Sequence, residues 1–448
     1  MLRKKHVYKM IKVVKFGGSS LADAKQFKKV ADIIKSDSSR RFVIPSAPGK
    51  RFDDDIKITD MLYSCYSKAA RGQDFEKEFD EIKARYNGII DELSLDISLE
   101  KEFDTIKACF TQKAGRDYAA SRGEYLNGIL LAKYLDFEFI DAADVVFFND
   151  KGTYDSNKTA FVMAERLKGI EHAVIPGFYG SMPNDTIKTF SRGGSDITGS
   201  IVASVVTADV YENWTDVSGF LIADPRIIDN PMTITSITYK ELRELSYMGA
   251  TVLHDEAIFP VRKAGIPINI KNTNKPDDTG TMIVESTSQK PEYTITGIAG
   301  KKGFVVVNIE KDMMNSELGF GRRVLEVFEK NGVSFEHMPS GIDTMSVIVN
   351  LDEFAEKEQE ILAGLHRNVQ PDSIEIETDL ALVAVVGRGM KSNRGTAGRI
   401  FSSLAHSHVN VKMIDQGSSE LNIIIGVEEE DFKTAIKAIY DIFVLQKL

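Results

Sequence analysis

Near the start of the chain, the hydrophobic positions change from the period of a strand to that of a helix. Residues 11–16 read IKVVKF, a β-branched run that ends at Gly17 and Gly18. From Ser20 to Ile34 the apolar residues recur at helical spacing along one stripe, and a second strand-like run follows at Arg41 to Pro45. Strand, glycine turn, helix and strand is how a doubly wound α/β sheet begins, so we predict that class for the first part of the chain.

The same alternation continues to about Glu285, where we place the end of a first domain, residues 1–285. A polar and mainly helical stretch runs from Thr59 to Gln112, and a further helix is predicted to open near Ser121. Four short apolar runs are predicted to be further strands, namely 145–148, 173–176, 210–214 and 266–270.

A polar junction at 286–291 (STSQKP) separates this part from a tandem repeat. Beyond it, a pattern of strand, helix, strand and strand occurs twice, and one constant offset superposes the two copies from residue 319 to residue 349 without a gap. The matched pairs are Gly319 with Gly395, Val324 with Ile400, Val333 with Val409, Phe335 with Val411, Gly341 with Gly417, Val347 with Ile423 and Val349 with Ile425. We interpret the repeat as two small α+β modules, each a split βαβ unit.

Composition and charge narrow the class of protein further. The chain has 448 residues, which favours two or three domains, and its 43% apolar and 27% charged residues are typical of a globular protein. No run is long and apolar enough for a membrane span, and Met1 to Met10 lack the apolar core and cleavage site of a signal peptide. Cys65 and Cys109 are the only cysteines, which fits a reducing cytosol, so we expect a cytoplasmic protein. A net charge of −10 argues against nucleic acid as a partner and leaves small molecules and further copies of the chain.

The first candidate site is the turn Lys15-Phe16-Gly17-Gly18-Ser19-Ser20, which joins the first strand to the first helix. Its backbone N–H groups and the helix N-terminus behind it favour an anion, and Lys15 can neutralise charge on a transferred phosphoryl group. The turn matches neither the Walker A pattern nor GxGxxG. The alternative is a tight turn in which Ser19 or Ser20 caps the helix.

A second loop, Ser191 to Asp196 (SRGGSD), precedes a predicted helix at Ile197 to Thr207. Arg192 offers a planar fork for a substrate carboxylate, and Asp196 could orient Lys15 or reach a metal-bound water. The alternative is that Ser195 or Asp196 caps the helix and Arg192 is a surface charge.

Two further stretches carry candidate residues. Thr215 and Asp216 follow a predicted strand and could hold the ribose or base of a nucleotide, and Arg226 could meet its phosphates. The alternatives are an Asx turn at Asp216 and a turn or helix start at Asp224-Pro225, with Trp214 in the core. Ser121-Arg122-Gly123-Glu124 reads as a capping box, with a substrate ammonium group as the competing partner of Glu124.

Together these stretches resemble the aspartokinase family of amino-acid kinases, in the right order and over nearly the whole chain. The matching segments are KFGGSS at 15–20, SAPG at 46–49, SRGE at 121–124, GFYG at 177–180, SRGGSD at 191–196, TDVSGF with ADPR at 215–226 and GATVLH at 249–254. The resemblance implies a mostly parallel sheet sandwiched by helices, followed by two ferredoxin-like ACT modules at 292–370 and 371–440. It also implies that a C-terminal strand from 440–448, around Phe443 to Leu445, completes the first module.

The resemblance implies a role for each matching residue. ATP phosphates would contact Lys15, Gly17, Gly18 and Ser19, with Lys15 stabilising the transition state and Asp196 organising Lys15 and the reacting groups. Bound aspartate would be held by Ser46, Thr59, Glu124, Arg192 and Ser195, where Glu124 meets the α-ammonium and Arg192 the α-carboxylate. The nucleotide would be bound by Thr215, Asp216 and Arg226. Leu221 and Thr251 depart from the family pattern: some members carry an aromatic residue at the position of Leu221, and many carry a lysine at that of Thr251.

The implied reaction is transfer of the γ-phosphoryl group of ATP to the β-carboxylate of L-aspartate, the first step towards lysine, threonine and methionine. No metal-ligand cluster stands out in the sequence, so Mg²⁺ is expected to travel mainly with the nucleotide and water. No dehydrogenase domain follows the two modules in this sequence, so we expect the monofunctional form.

The ACT pair implies control by an amino acid and assembly into a homodimer, with a tetramer as the alternative. The residues that resemble the effector pocket are Met314, Gly319, Ser334, Phe335, Glu336 and Ser340. A carboxylate at Glu336 favours lysine as the effector, with threonine second, and modules that serve only dimerisation are the alternative. Rival functions are a kinase for glutamate, acetylglutamate or uridylate, and a non-catalytic amino-acid sensor.

Overall fold

A computed structural model describes residues 10–191, 193–250, 253, 255–287 and 293–445, without the side chains of residues 255 and 256. The described chain forms two compact units. The first comprises the described parts of Met1–Phe220, Thr235–Tyr239 and Val252–Thr287, and the second those of Leu221–Ile234, Lys240–Thr251 and Ser288–Leu448. Two segments that precede residue 285 therefore group with the second unit. None of the described helices has the length and hydropathy needed to cross a bilayer.

The first unit is built on a sheet with helices around it. Its strands are β1 (Lys12–Phe16), β2 (Arg40–Pro45), β3 (Glu138–Phe139), β4 (Ala173–Val174), β5 (Tyr179–Ser181), β6 (Ile187–Thr189), β7 (Val210–Thr215), β8 (Ser236–Thr238), β9 (Ile268–Asn272) and β10 (Thr281–Val284). The helices up to residue 263 are α1 (Ala24–Lys35), α2 (Ile58–Ala70), α3 (Glu76–Leu93), α4 (Glu100–Thr111), α5 (Arg116–Leu135), α6 (Ala142–Val145), α7 (Ser156–Leu167), α8 (Gly194–Val205), α9 (Tyr239–Tyr247) and α10 (Asp255–Lys263), of which α9 lies almost wholly in the second unit.

The main sheet of this unit has the order β3-β4-β2-β1-β7-β9-β10-β8 and is parallel from β3 to β9. Strand β10 runs antiparallel to β9, and β5 and β6 form a separate hairpin. Strand β1 is central, and its Val13, Val14 and Phe16 are fully buried. Because β1, β2 and β7 are parallel neighbours, the loops that follow them begin at the same edge of the sheet. The predicted mostly parallel α/β sheet is confirmed.

Several predicted boundaries in this unit are wrong for local reasons. The run at 145–148 is not a strand, because Asp141 caps the short helix α6 and Phe147 and Phe148 then form only isolated bridges. Helix α5 begins at Arg116 rather than near Ser121, because Gly115, with a φ of 111°, turns the chain into the helix there. Helix α1 begins at Ala24, since Asp23 accepts a hydrogen bond from the backbone N–H of Gln26.

The second unit contains one antiparallel sheet with the order β12-β13-β11-β14-β16-β15. Its strands are β11 (Gly297–Glu310), β12 (Phe335–His337), β13 (Thr344–Asn350), β14 (Ser373–Val386), β15 (Val411–Asp415) and β16 (Asn422–Glu428), and its helices after residue 293 are α11 (Phe320–Lys330), α12 (Leu351–Ala355), α13 (Glu358–Val369), α14 (Thr396–His406) and α15 (Phe432–Tyr440). The repeat is confirmed in detail. Gly319 and Gly395 precede α11 and α14 with φ angles of 80° and 84°, and Phe335 and Val411 begin β12 and β15.

The two modules share their long strands. The second half of β11 pairs with the first half of β14, from Phe304 opposite Leu380 to Glu310 opposite Ser373, in the first module. The first half of β11 pairs with the second half of β14, from Gly297 opposite Val386 to Lys301 opposite Leu382, in the second module. Each module therefore takes a strand half from the other part of the repeat.

The predicted C-terminal strand is wrong. Residues Asp441–Leu445 form a π-helical turn that continues from α15, with Phe443 and Val444 buried. In the first module, the second half of β11 already has β13 on one side and the first half of β14 on the other, so no position beside it is open to a further strand. Residues 446–448 of the predicted strand lie outside the described residues.

Candidate active site

The candidate site of the first unit begins with an ion pair between Lys15 and Asp196. Lys15 lies near the end of β1, and its Nζ is 2.6 Å from Oδ1 of Asp196 in the first turn of α8. The side-chain amide of Asn213, on the neighbouring strand β7, donates to the same oxygen at 2.9 Å. Both side chains are largely buried, so the pair keeps Lys15 in a fixed position at the edge of the sheet.

The turn after Lys15 is held by close backbone contacts. Gly17 donates its N–H to the carbonyl of Trp214 at 3.0 Å, and residues Gly18–Leu21 form a short 3₁₀ turn. A Cβ on Gly18 would lie 2.9 Å from the carbonyl oxygen of Ala47, so only glycine fits at this position. Ser19 and Ser20 do not cap α1, because Asp23 does. That carboxylate offsets the field of the α1 N-terminus, which leaves the N–H groups of the turn and Lys15 for an anion.

Glu124 lies inside α5 and is not a helix cap, because the helix starts eight residues before it. Its side chain is 6% exposed, the backbone N–H of Ala47 donates to the carboxylate, and Oε2 has no hydrogen-bond partner among the described residues. Burial raises the pKa of Glu124 to about 7, while the Ala47 N–H and the charges of Arg122 and Lys15 oppose the rise. A buried carboxylate with an open oxygen favours a cationic ligand.

The hydroxyl residues predicted to bind aspartate lie on two helices and in one loop. Ser195 is buried beside Asp196 in α8, and its Oγ has no partner among the described residues. Ser46 follows β2, and its carbonyl accepts from Nδ2 of Asn127 at 2.6 Å. Thr59 is half-buried in the first turn of α2, whose Ile58 packs against Gly123 beside Glu124. The carbonyl of Ser46 thus contacts the face of α5 that carries Asn127 and Glu124, and Ser195 lies next to Asp196 in α8.

Arg192 lies outside the described residues, and so does Thr251. The start of α8 is described, with Gly193 at a φ of 76° as the N-cap, so neither Ser195 nor Asp196 caps this helix. A Cβ on Gly193 would lie 2.5 Å from Cβ of Ala257 in α10, which explains the glycine at this position.

The side chains predicted to bind the nucleotide make mainly local contacts. Thr215 ends β7, and its hydroxyl donates to Oδ1 of Asp216 at 3.1 Å. Arg226 belongs to the second unit, is 86% exposed and pairs with Asp224 in a local turn. Trp214 is buried and stacks on Phe16, as predicted for a core residue. Leu221 forms a bridge with Thr233 in the second unit.

The residues predicted for the effector surround the start of α11 and strand β12. Met314 is buried, Gly319 is the N-cap of α11, and Ser334, Phe335 and Ser340 are exposed. The carboxylate of Glu336 accepts a hydrogen bond from the hydroxyl of Tyr247, at the end of α9. Burial and the neighbouring Glu336 raise the pKa of Tyr247 to about 12, so its hydroxyl remains a donor at neutral pH.

Sequence reasoning missed several residues that shape these sites. Asn213 donates a hydrogen bond to Asp196, which also pairs with Lys15. Asn127 donates to the carbonyl of Ser46, and Tyr247 donates to the carboxylate of Glu336. Asn127 could have been found, because it lies three residues after Glu124 and therefore on the same face of the helix. Tyr247 is far from Glu336 in the sequence and had no such signal. Among the described residues, no group of three or more His, Cys, Asp or Glu side chains could hold a metal ion.

Both parts of the chain match known protein families. A family model described as "Amino acid kinase family" matches residues 10–272, and an ACT domain model matches residues 383–443. Aspartokinase 3 of Bacillus subtilis is 39% identical over 97% of this chain and 98% of its own length. The chain also spans about half, 51%, of a bifunctional aspartokinase/homoserine dehydrogenase 1 of Zea mays, at 28% identity over 98% of this chain.

Solved structures also resemble this chain over nearly its full length. The aspartate kinase of Clostridium acetobutylicum is 55% identical, with a TM-score of 0.88 over 97% of this chain and 100% of that one. Escherichia coli aspartokinase III in complex with aspartate and ADP is 25% identical, with a TM-score of 0.70 over 96% of this chain and 99% of that one.

Proposed function

We propose that this chain, which belongs to the aspartokinases of the amino acid kinase family, transfers the γ-phosphoryl group of ATP to the β-carboxylate of L-aspartate. That it is an aspartate kinase with ACT regulatory domains follows from the family, and the details of the reaction are our proposal. The observation that carries the proposal is the buried carboxylate of Glu124, whose Oε2 has no partner among the described residues. Asn127 of the same helix donates a hydrogen bond to the carbonyl of Ser46. The product would be 4-phospho-L-aspartate, the first intermediate towards lysine, threonine and methionine.

The chemistry needs charge stabilisation rather than a general base. A β-carboxylate with a pKa near 3.9 is ionised at neutral pH, so its oxygen can attack without losing a proton. The obstacle is the approach of one anion to another. Lys15 and the N–H groups of the turn at Gly17, Gly18 and Ser19 would stabilise the charge on the γ-phosphoryl group, and Asp196 would hold Lys15 in place.

Aspartate would bind through its charged groups first. Its α-ammonium would meet Glu124, whose open oxygen would gain a partner, and its α-carboxylate would meet Arg192. Ser46, Thr59 and Ser195 would hydrogen-bond the substrate, and the unpartnered Oγ of Ser195 supports this role. A buried ion pair of this kind gives specificity, because an acceptor without an α-ammonium would leave Glu124 unpaired.

The nucleotide would bind at the edge of the sheet where β1 and β7 end. Thr215 and Asp216 would contact it there. A phosphate contact for Arg226 is proposed from the resemblance alone, and it would replace the pair with Asp224. We propose that ATP is used with Mg²⁺ held mainly by the phosphates and water. The ion, when bound, would neutralise part of the phosphate charge.

An amino acid is proposed to regulate the enzyme through the ACT modules. Met314, Gly319, Ser334, Phe335, Glu336 and Ser340 would form the pocket, with Glu336 favouring lysine over threonine because lysine brings a second cation. The exposed apolar side chains of Leu318, Phe335 and Ile342 support a homodimer formed through these modules, with a tetramer as the alternative. A cytoplasmic location is proposed from the two free cysteines, of which Cys65 is buried.

Substitution of Lys15 by alanine is the direct test. We expect kcat to fall by about a thousandfold with little change in KM for aspartate, because Lys15 acts mainly on the transition state. Lys28→Ala, an exposed lysine of α1, is the matched control and should keep normal turnover. Near-normal kcat in Lys15→Ala would contradict the role of Lys15.

A second assay separates the rival functions. ATP consumption would be measured with L-aspartate, L-glutamate, N-acetyl-L-glutamate and uridylate as acceptors, and we expect turnover with aspartate alone. Binding of aspartate without turnover would identify a sensor. Calorimetry with lysine and with threonine at millimolar concentration tests the effector, and an absence of binding heat for both would exclude the proposed pocket.

A further inference from the structure

The loop that joins β2 to α2, residues 46–57 (SAPGKRFDDDIK), lies beside the phosphate turn. It begins with Ser46 and ends two residues before Thr59, so residues proposed to contact aspartate stand at both of its ends. We call it the 46–57 loop. Its polar composition predicts a surface segment, yet its first four residues are largely buried.

Gly49 of this loop touches the backbone of the phosphate turn. Its N–H donates to the carbonyl of Gly18 at 2.8 Å. A Cβ on Gly49 would lie 2.6 Å from the carbonyl carbon of Gly18 and 2.7 Å from the backbone nitrogen of Ser19, so no larger residue could approach this closely. Because the two backbones are in direct contact, the position of Gly49 limits the positions that Gly18 and Ser19 can take.

Arg85 of α3, which belongs to none of the sequence motifs, holds this loop from the other side. One guanidinium nitrogen donates to the carbonyl of Ile56 at 2.6 Å, and another donates to the carbonyl of Gly49 at 2.7 Å. Asp55 lies 3.7 Å from the same group and is itself bound by Arg51 at 2.8 Å. The Arg85 side chain is only 7% exposed.

A buried guanidinium is costly unless its donors are used, and here two of them bind backbone carbonyls seven residues apart. The planar fork fixes the distance between Gly49 and Ile56, which a single ammonium group could not do with the same geometry. The chain of contacts therefore runs from Arg85 to Gly49 and from Gly49 to the turn at Gly18 and Ser19.

We infer that Arg85 is a positioning residue for the phosphate turn: it acts through Gly49 to hold Gly18 and Ser19 in the conformation that receives ATP. The inference rests on the proposed role of that turn. It does not place Arg85 in contact with either substrate. Loss of its donors frees the carbonyls of Gly49 and Ile56, so the loop can move away and the turn loses its support.

The test compares Arg85→Met, Arg85→Lys and a control. Methionine keeps an apolar stem without donors, and lysine keeps the charge without the fork. Lys83→Met, on the same helix, removes a partly exposed pair with Glu100 and a cation–π contact with Phe103. Neither partner belongs to the 46–57 loop, so this variant serves as the control. We expect Arg85→Met to raise KM for ATP and Kd for ADP about tenfold, with a smaller rise in KM for aspartate, and Arg85→Lys to raise KM for ATP about threefold. Lys83→Met should match the unaltered enzyme.

Unfolding by urea is measured in parallel, because a purely structural role would lower the midpoint without changing nucleotide affinity. If Arg85→Met does not fold, Arg85→Lys decides the question by the same measurements. An unchanged KM for ATP and Kd for ADP in the folded variants would overturn the inference. Lys15→Ala is included as a reference: if it retains normal turnover, the proposed function itself fails, whatever Arg85 does.

Discussion

Two buried carboxylates of the first unit, Glu212 and Glu124, have opposite surroundings. Glu212 of β7 receives hydrogen bonds from Nε of Arg40 and from the indole N–H of Trp214, both at 2.8 Å, and Lys12 lies 3.2 Å away. Glu124 of α5 is buried to a similar degree, yet its Oε2 has no partner among the described residues. Burial of a charge without a partner is unfavourable, so a fold that supplies three partners to one carboxylate and leaves another open points to a ligand at the second.

The comparison separates stability from function. The surroundings of Glu212 join β7 to β1 and β2 through charged side chains, and they contribute to folding in the free protein. The burial of Glu124 disfavours its charged form in the free protein, and a bound cation would favour that form. Substitution of the two residues should therefore have opposite consequences for folding and for catalysis.

The largest effect is expected from Glu212→Gln. This change leaves Arg40 buried without its counter-charge, and we expect the free energy of unfolding to fall by about 3 kcal/mol, with KM for aspartate within about twofold of normal. Urea denaturation and steady-state kinetics measure the two quantities. Glu138→Gln, which loses only a surface pair with Arg166, is the control and should cost less than about 1 kcal/mol. A similar small loss for Glu212→Gln would show that its partners do not stabilise the fold.

Glu124→Gln is expected to raise KM for aspartate about a hundredfold, because the substrate ammonium loses a buried counter-charge. The urea midpoint should stay the same or rise, since a neutral amide is easier to bury than a carboxylate. The opposite pattern, a lower midpoint with a normal KM, would mean that Glu124 is paired in the fold as Glu212 is.

The pH dependence gives a further way to distinguish the two residues. Burial raises the pKa of Glu124 to about 7 from an ordinary 4.5. Between pH 4.5 and pH 7, the carboxyl is therefore protonated in the native state and ionised in the unfolded chain. This contribution to stability is fully present below about pH 4.5 and is lost as the pH rises through about 7. Only ionised Glu124 binds an ammonium, so KM for aspartate should fall about tenfold from pH 6 to pH 8 and then level off.

Kinetics of the unaltered enzyme and of Glu124→Gln across this range test the assignment. The variant should give a flat profile between pH 6 and pH 8. A variant that keeps the same fall in KM would assign the titration to another group.

The smallest effect concerns Glu336, a carboxylate with one replaceable partner. Tyr247→Phe removes that partner, and a lysine effector should then bind about threefold more tightly, because the hydrogen bond no longer competes. Calorimetry measures the affinity. Tyr440→Phe, which loses a bond to the backbone of Met232, is a control in the same unit and should leave lysine affinity unchanged. Weaker binding in Tyr247→Phe would indicate that the hydroxyl contacts the effector.

The architecture followed well from the sequence where a local pattern determines it. The strand, turn, helix and strand around Lys15 are contiguous, and the repeat could be read from one constant offset that matches seven residue pairs, Gly319 with Gly395 among them. Helix starts were less predictable, because Ser20 and Ser121 are as good caps as Asp23 and Gly115 until the surrounding packing chooses between them. The C-terminal strand at Phe443 failed because the neighbouring positions in the sheet were already filled.

The residues of the candidate site also divide into those that a local sequence pattern identifies and those that it does not. Lys15, Glu124 and Asp196 were identified through motifs, whereas Asn127, Asn213 and Arg85 were not, because their importance lies in contacts with residues far along the chain. The state of Glu124 is a further case. Its sequence context suggested a helix cap or a ligand for an ammonium group. The start of α5 at Arg116 excludes the cap, and the burial of Glu124 favours the ligand.

The shared strands of the second unit have a consequence for synthesis of the chain. Gly297 is made before any other part of the sheet, yet its partner Val386 follows 89 residues later. Since a ribosome adds about 5–20 residues per second, the first half of β11 must wait several seconds with its edges unpaired. During that interval it is a target for chaperones or for pairing with a neighbouring nascent chain. The order in which the strands are synthesised thus determines how long the first half of β11 is exposed before it can pair.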